Sequence, residues 1–389
     1  MNKTKSEAFE NDDYSELNVK FFKVLRENAD MVADPSGWTD TFSNVANIYP
    51  AFHKSLQGYT IDLYNQLTEK KNCLKDLLSE WDSCSYSNDN ITLCHSTTVG
   101  SAIVLAFLIS KGIKKIITET PNYFATYYQA ETMSINIIRV PTYYDSNFIL
   151  NIEEKLIEQT SPCAVWLTQP RTALGFNQDP SNVMKILNLL TEKDFLVIDE
   201  ATEQFFPSIL SSLNPEKFPK VIKIRSMFKG LGINGIRLAF ILHHTSFRPA
   251  ISGEMEIFLG ALDVHSLNHA VELAKDISKF RLLLSVANQQ VISLREKAGK
   301  QIKGTNCELS RIENGYIGSL MLRFRKNNHD HTYYRTKFIE YCAREKVPVI
   351  LGAAMGFPRH EYMEFVRLNY FNRDYNILEG VKIISGFSA

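Results

Sequence analysis

The feature that most constrains the fold is a regular alternation of short apolar segments and longer helical ones between Asn90 and Leu242. Short segments rich in β-branched residues that alternate with helices of about 10–15 residues indicate crossover units and a mostly parallel sheet. The sequence therefore predicts an α/β fold. The predicted strands are 91–94, 115–118, 135–140, 163–167, 195–198, 221–225 and 236–242, and the predicted helices between them are 99–109, 124–132, 151–160 and 182–193.

The chain beyond Leu267 has a different pattern and predicts a second, smaller α+β domain. A long helical stretch (268–300) leads to predicted strands at 317–324, 347–351 and 365–370 and a helix at 334–344. An amphipathic segment at 15–33 is expected to pack on this unit. We therefore expect an N-terminal arm and helix joining the small domain at residues 1–50, a large ligand-binding domain at 51–285 and a small domain at 286–389.

Polar side chains follow the ends of several predicted strands. In open parallel sheets, ligands bind beyond the carboxyl ends of the strands. The segments 96–98 and 169–172 and the residues Asp199, Ser226 and Lys229 all fall at this edge. Their convergence predicts one binding site there.

Lys229 lies on a short loop between two predicted strands, three residues after Ser226 and eight before Arg237. A lysine whose surroundings favour the neutral amine forms a Schiff base with a carbonyl compound. A serine hydroxyl and the planar fork of an arginine suit a phosphate group. A partner that carries both a carbonyl and a phosphate is pyridoxal 5'-phosphate. The alternative is a solvated lysine in a glycine-rich turn.

The glycines of the same loop match the pattern G-x-G-x-x-G at 230–235. As a dinucleotide fingerprint, this pattern needs a strand before it, a helix after it and an acidic residue about 20 positions further on. Here a strand-like segment follows, with Arg237 where the helix would begin. Dinucleotide binding is therefore excluded.

Three other strand ends suit the same cofactor, and each has an ordinary structural alternative. Asp199 closes an apolar strand, where a carboxylate stabilises a protonated ring nitrogen or else caps a helix. Thr97 and Thr98 lie at the start of a predicted helix. The unpaired N–H groups there favour binding of a phosphate, and the alternative is that the threonines only cap the helix. Tyr123 is expected to stack on the cofactor ring or else to pack on the surface or in the core.

Composition excludes several other classes of protein. Lys plus Arg equals Asp plus Glu at 43 each, so the charge balance gives no sign of binding to nucleic acid or a membrane. The six cysteines form no C-x-x-C pair, so neither a metal site nor a disulfide framework is predicted. The apolar part of the longest uncharged segment (102–109) is shorter than the ~18 residues of a membrane span. The polar N-terminus has no secretory pattern, so a cytoplasmic location is expected.

Taken together, these motifs resemble the fold type I pyridoxal-phosphate enzymes of the class I/II, aspartate-aminotransferase-like family, from about Tyr59 to Tyr370. The resemblance implies a three-layer, mostly parallel sheet and a homodimer. It implies that Lys229 bonds the cofactor, that Asp199 in Val197-Ile198-Asp199-Glu200-Ala201 pairs with the ring nitrogen, and that Tyr123 stacks on the ring. The residues implied to contact the phosphate are Ser96, Thr97, Thr98, Ser226, Arg237 and, from the partner subunit, Tyr59.

The resemblance also assigns Arg367, within Phe365-Val366-Arg367-Leu368-Asn369, to the substrate α-carboxylate. An arginine amid apolar residues otherwise faces solvent on an edge strand. Two positions depart from the family pattern: where an Asn and a Tyr usually contact the cofactor's phenolic oxygen, this chain has Thr172 and Thr202. A threonine hydroxyl donates over a shorter reach, or through a water.

Three functions are consistent with these residues. The first is an aminotransferase in which Lys229 carries the α-proton as general base and acid. The second keeps the cofactor but reroutes the reaction, because the segment 94–99 resembles a branch of oxidases and a cyclase that act on arginine-like amino acids. The third is a catalytically silent binding protein, which the joint presence of Lys229, Asp199 and Arg237 disfavours.

Overall fold

The structure is a computed structural model that describes residues 31–36, 63–202, 205–231, 236–259, 262–324, 331–358, 360 and 362–387. Within these ranges the chain forms two sheets and ten helices. The strands are β1 Ile91–Cys94, β2 Lys115–Thr120, β3 Asn136–Pro141, β4 Ala164–Thr168, β5 Phe195–Glu200, β6 Val221–Arg225, β7 Ala239–Leu242, β8 Cys307–Leu309, β9 Ile317–Arg323 and β10 Met363–Asn369. The helices are α1 Leu63–Asp82, α2 Thr97–Ser110, α3 Phe124–Thr132, α4 Glu154–Thr160, α5 Pro180–Leu189, α6 Arg248–Leu259, α7 Val264–Ala274, α8 Ile277–Gln301, α9 His331–Arg344 and α10 Asp374–Ser385.

The large sheet has seven strands in the order β1-β7-β6-β5-β4-β2-β3. Strands β3, β2, β4, β5 and β6 pair in parallel, and only β7 runs antiparallel to its neighbours β6 and β1. The central strands β4, β5 and β6 are buried along their whole length, as expected for a sheet covered on both faces. The predicted α/β class is therefore confirmed.

Alternate residues of the central strands pack against different helix layers. On one face, Trp166 and Val197 pack with residues of α2 and α6. On the other, Val165 and Leu196 pack with residues of α4 and α5. This alternation follows from the two-residue period of a strand and produces the three-layer arrangement.

The small sheet is antiparallel, in the order β10-β9-β8. The strand predicted at 347–351 is not formed: this segment makes a single bridge, between Leu351 and Val366. Pro348 has no N–H for a ladder, which disfavours a regular strand there. The predicted helix at 268–300 is two helices, α7 and α8, because Asp276 caps α8 through the N–H of Lys279 at 3.1 Å.

The segment 31–36 packs on the small sheet and on α10. The N–H of Asn369 donates to the carbonyl of Pro35 at 3.0 Å. A Cβ on Gly380 of α10 would lie 2.9 Å from the Pro35 ring, so only glycine allows this close approach. The rest of the predicted N-terminal arm and helix, and the residue Tyr59, lie outside the described residues.

Candidate active site

A cavity of about 180 Å³ lies where the carboxyl edge of the large sheet meets the small sheet. The small sheet contributes Ile317 and Arg367 to its wall. Most of the predicted site residues line this cavity, namely Thr97, Tyr123, Thr172, Asp199, Thr202, Lys229 and Arg367. The structure therefore brings these seven predicted residues together on one cavity.

Lys229 begins a short 3-10 turn after β6 and lines the cavity. Burial lowers the pKa of Lys229 to about 8, with a further lowering from Arg367 and Arg237 that Asp199 opposes. A lysine with this pKa is neutral in a substantial fraction of molecules near pH 8. Its amine is thus suited to attack a carbonyl carbon.

Asp199 lies near the end of β5 with 5% of its surface exposed. Burial raises the pKa of Asp199 to about 6. Two weaker effects lower this pKa: the N–H of Ala201, which donates to the carboxylate at 2.9 Å, and the positive charge of Lys229. Among the described residues, no helix lies between β5 and β6, so Asp199 is not a helix cap there. A buried carboxylate of this kind is stabilised by a cationic partner in the cavity.

The start of α2 opens onto the cavity through Thr97, whose side chain is buried. The hydroxyl of Ser96 caps this helix by accepting from the N–H of Val99 at 3.3 Å. Thr98 is not among the residues of the cavity wall, and its carbonyl accepts from Gln129 at 2.9 Å. Of the three predicted residues of this turn, only Thr97 lies on the cavity.

Ser226 and Arg237 are also not among the lining residues. The buried hydroxyl of Ser226 donates to the carbonyl of Leu238 at 3.3 Å. The Arg237 side chain is exposed, and its N–H donates to the hydroxyl of Ser266 at 3.0 Å. The segment 232–235, which lies between Lys229 and Arg237, is outside the described residues. Phosphate binding by Ser226 and Arg237 therefore stays a prediction.

Tyr123 is half-buried on the cavity wall, next to Phe124. The two ring centroids are 4.9 Å apart and the rings are tilted by 52°. Two aromatic rings therefore form part of the cavity wall.

The turn that carries Thr172 is held by a buried carboxylate that sequence reasoning missed, Glu119. This carboxylate accepts from the N–H of Thr168 at 2.9 Å, from Gln178 at 2.6 Å and from the Arg171 guanidinium at 2.8 Å. The Thr168 hydroxyl donates to Glu119 at 3.2 Å and accepts from the N–H of Thr172 at 3.0 Å. Glu119 thereby fixes the backbone at Thr172.

Arg171 lines the cavity, but its guanidinium is engaged on three sides. Besides Glu119, it donates to the hydroxyl of Thr142 at 2.9 Å and to the carbonyl of Phe148. Both side chains of the Arg171–Glu119 pair are almost fully buried. Arg171 is therefore bound within the protein and is a poor candidate for holding a substrate.

Arg367 lies on β10 and is 7% exposed, so it is not a solvent-facing edge arginine. Directly opposite on β9, Ser319 donates to the carbonyl of Ala173 at 2.7 Å, which joins the small sheet to the turn that carries Thr172. Ser36 donates to the carbonyl of Arg367 at 2.6 Å and also lines the cavity. Tertiary packing against β10 and α10 brings the segment 31–36 to the site.

The sequence pattern of the family described as aminotransferase class I and II matches residues 42–307. The chain belongs to this family. The enzymes of the family are pyridoxal-phosphate-dependent transferases, and the cavity fits this cofactor because it presents an amine of lowered pKa, a buried carboxylate and an aromatic face.

The curated relatives that match this chain are named aminotransferases. A histidinol-phosphate aminotransferase of Caldanaerobacter subterraneus is 22% identical over 75% of this chain and 76% of its own length. One from Buchnera aphidicola is 25% identical over 43% of this chain and 46% of its own length, so the match spans less than half of that relative.

Among solved structures, an aspartate aminotransferase mutant of Thermus thermophilus superposes with a TM-score of 0.73, at 13% identity and 99% coverage of both chains. An aromatic aminotransferase of Pyrococcus horikoshii has a TM-score of 0.70, at 16% identity and coverage of 94% of this chain and 97% of its own. The fold type I arrangement predicted from the sequence is confirmed. Within the described residues, none of the helices combines the length and apolar character that crossing a membrane requires.

Proposed function

We propose that this protein is an aminotransferase that acts on α-amino acids and binds pyridoxal 5'-phosphate through Lys229. The observation that carries the proposal is that Lys229, Asp199 and Arg367 line one cavity. They supply an amine of lowered pKa, a buried carboxylate and a buried guanidinium. These are the three groups that a carbonyl carbon, a protonated ring nitrogen and a substrate carboxylate require: a neutral amine, an anion and a cation.

The residues around the cavity divide into groups that suit different parts of the cofactor. Asp199 would hold the ring nitrogen and Tyr123 one face of the ring. Thr172 and Thr202 would face the phenolic oxygen. The phosphate would be bound by Ser96, Thr97, Thr98, Ser226 and Arg237, with Tyr59 from the partner subunit of a homodimer. When bound, the cofactor supplies a carbonyl carbon and a ring that withdraws electrons from the bond being broken.

Lys229 would also move the α-proton of the substrate. Its pKa of about 8 lets Nζ accept and return a proton near neutral pH, which is the requirement for a general base and acid. Arg367 would hold the substrate carboxylate with its two-pronged donor fork and so orient the α-carbon toward Lys229.

The relatives named histidinol-phosphate aminotransferases widen the range of substrates to be tested. A guanidinium binds phosphate as well as carboxylate in the same two-pronged geometry. We therefore include histidinol phosphate beside the α-amino acids as a candidate donor.

A rerouted reaction is the second candidate, and the two threonines on the cavity wall favour it. Thr172 and Thr202 stand where the family usually has an Asn and a Tyr, and a change of donors at the cofactor's phenolic oxygen alters how its charge is distributed. An oxidase, an elimination or a cyclisation on an arginine-like amino acid would use the same Lys229.

A single-turnover experiment separates the two candidates. The purified, cofactor-loaded protein is mixed with one amino compound at a time, without an acceptor, while absorbance and oxygen are recorded. Stoichiometric conversion to the amine form of the cofactor, with one oxo acid formed per site, supports transamination. Oxygen consumption or a persistent long-wavelength band supports the rerouted reaction. Lys229→Ala is the control, and retention of full turnover in it would rule out both.

A further inference from the structure

Apolar side chains from the small sheet and from the elements around the large sheet line the cavity that contains Arg367. Ile317 begins β9, and Ile350 belongs to the segment that bridges to β10. Phe124 and Ala173 line the same cavity from α3 and from the turn after β4. The N–H of Arg367 donates to the carbonyl of Ile350 at 2.9 Å, which holds these two residues next to each other.

The position of Ile350 is fixed by its packing. It is 8% exposed and belongs to one buried apolar cluster with Phe365, Ala173 and Met321. Phe365 lies two residues before Arg367 on β10, and alternate residues of a strand point to the same face of a sheet. Arg367 therefore shares one face of the small sheet with the cluster that supports Ile350.

The charged side chains of the cavity wall are already engaged. Among the described residues, the charged side chains that line it are Asp199, Lys229, Arg367 and Arg171. The proposed function assigns the first three to the ring nitrogen, the carbonyl carbon and the substrate α-carboxylate. The Arg171 guanidinium is neutralised by the buried carboxylate of Glu119. Within this described wall, no cation is left for a second carboxylate and no anion for a guanidinium or ammonium group.

Charged and apolar substrate side chains therefore meet opposite conditions in this cavity. An ionised group that leaves water without gaining a partner loses solvation free energy. An apolar group gains free energy by the same transfer. In a hydrophobic pocket, one methylene changes kcat/KM by about 10- to 200-fold. The wall thus favours a hydrocarbon side chain over an acid, an amine or a guanidinium of similar size.

We propose that Ile317 and Ile350 form the surface that recognises the substrate side chain, and that the preferred donor is an α-amino acid with an uncharged, apolar side chain. This assignment rests on the proposed function, because it takes Arg367 as the site of the α-carboxylate. With that carboxylate on Arg367 and the α-carbon toward Lys229, the side chain extends along the two isoleucines. Amino acids with a second charge, such as aspartate, glutamate and arginine, should react slowly.

The test measures the half-reaction of the cofactor-loaded protein with one amino acid at a time and no acceptor. Conversion of the bound cofactor to its amine form, followed by absorbance at several donor concentrations, gives a second-order rate constant for each donor. Leucine should react at least about 30-fold faster than aspartate, whose side chain has a similar branched shape but carries a charge. Leucine should exceed arginine by a similar factor and alanine by about 10-fold or more.

A binding measurement gives a second readout that does not depend on turnover. The compounds 4-methylpentanoate and succinate correspond to leucine and aspartate without their amino groups. Calorimetry with the cofactor-loaded protein should give a Kd for 4-methylpentanoate that is at least about 30-fold below that for succinate.

Truncation of the wall separates recognition from folding. Ile350→Ala removes apolar contact with the leucine side chain but little with the methyl group of alanine, so the leucine-to-alanine ratio of rate constants should fall about 10-fold or more. Val349→Ala is the matched control, because Val349 is 1% exposed, packs in a different apolar cluster and is not among the lining residues. It should leave the ratio unchanged. If Ile350→Ala does not fold, Ile317→Ala should lower the ratio in the same direction.

Three results would overturn the inference. They are a reaction of aspartate or arginine as fast as that of leucine, an unchanged leucine-to-alanine ratio in the folded isoleucine variant, or an equal fall of this ratio in Val349→Ala. Binding of succinate as tight as that of 4-methylpentanoate would equally overturn it. Failure of the proposed function is distinct, because no amino acid would then convert the cofactor to its amine form, whatever its side chain.

Discussion

Replacing Arg367 by Ala tests the assignment of the substrate site. Arg367 is 7% exposed and lines the cavity, so a substrate carboxylate would be left facing a site from which most water is excluded. Truncating one partner of a buried, hydrogen-bonded charge pair costs about 2–5 kcal/mol. The corresponding loss in kcat/KM for an α-amino acid is on the order of 30-fold to several thousand-fold. Arg367→Lys should recover only part of it, because an ammonium keeps the charge but lacks the fork.

The assay measures kcat/KM for an α-amino acid and for the matching amine that lacks the carboxylate. The amine should be nearly indifferent to Arg367→Ala, and cofactor binding should be retained. Because Arg367 lowers the pKa of Lys229, the same variant should also raise that pKa. An equal loss for both substrates, or no loss for either, would contradict the carboxylate role.

The other predictions concern the buried network, the pH dependence of cofactor binding and the assembly. Arg171→Met leaves the Glu119 carboxylate buried without its cation and should lower the free energy of unfolding, measured by urea titration, by about 3–5 kcal/mol. The double variant Arg171→Met/Glu119→Gln should recover part of this loss. A change below about 1 kcal/mol in Arg171→Met would refute the structural role of the pair. Uptake of pyridoxal phosphate by the apoprotein should accelerate as pH rises from 6 to 8. Over this range Asp199, with a pKa of about 6, becomes ionised, and a growing fraction of Lys229, with a pKa of about 8, becomes neutral. A rate of uptake that falls over this range would refute both assignments. Sedimentation should show a homodimer, and Tyr59→Phe should weaken cofactor binding; a fully active monomer would oppose the shared site.

The strand-and-helix alternation was enough to predict the large sheet because each central strand is a short apolar run bounded by polar residues. Strands β4, β5 and β6 lie within two residues of their predicted ends. The predictions were wrong where local chemistry interrupts a longer pattern. Asp276 begins a new helix inside the segment expected to be one, and Pro348 weakens the strand expected at 347–351.

Site residues that lie at or just after the end of a strand could be predicted from the sequence. Site residues that only tertiary packing brings to the cavity could not. Asp199 lies near the end of β5, Lys229 and Thr172 follow β6 and β4 closely, and the sheet brings these strand ends together. Ile317, for example, reaches the cavity from the small sheet, through contacts between distant parts of the chain. A local pattern contains no signal for such contacts.

Glu119 illustrates the same limit in the case of a buried charge. In the sequence it is one acidic residue at the end of a strand, and its partners Thr168, Arg171 and Gln178 lie about 50 to 60 positions away. Because these residues are far apart in the sequence, no local pattern predicts the network. The one indication is Arg171, which lies between two residues of the cavity wall, Pro170 and Thr172. An arginine so placed requires an anion, either a ligand or a buried carboxylate.

The most direct test of the account is to identify the lysine that bonds the cofactor. The protein is purified with pyridoxal phosphate, reduced with borohydride and digested, and the labelled peptide is sequenced by mass spectrometry. We predict a yellow protein whose label lies on Lys229 alone and is absent from Lys229→Ala. A label on another lysine, or a colourless protein that does not take up the cofactor, would contradict the account.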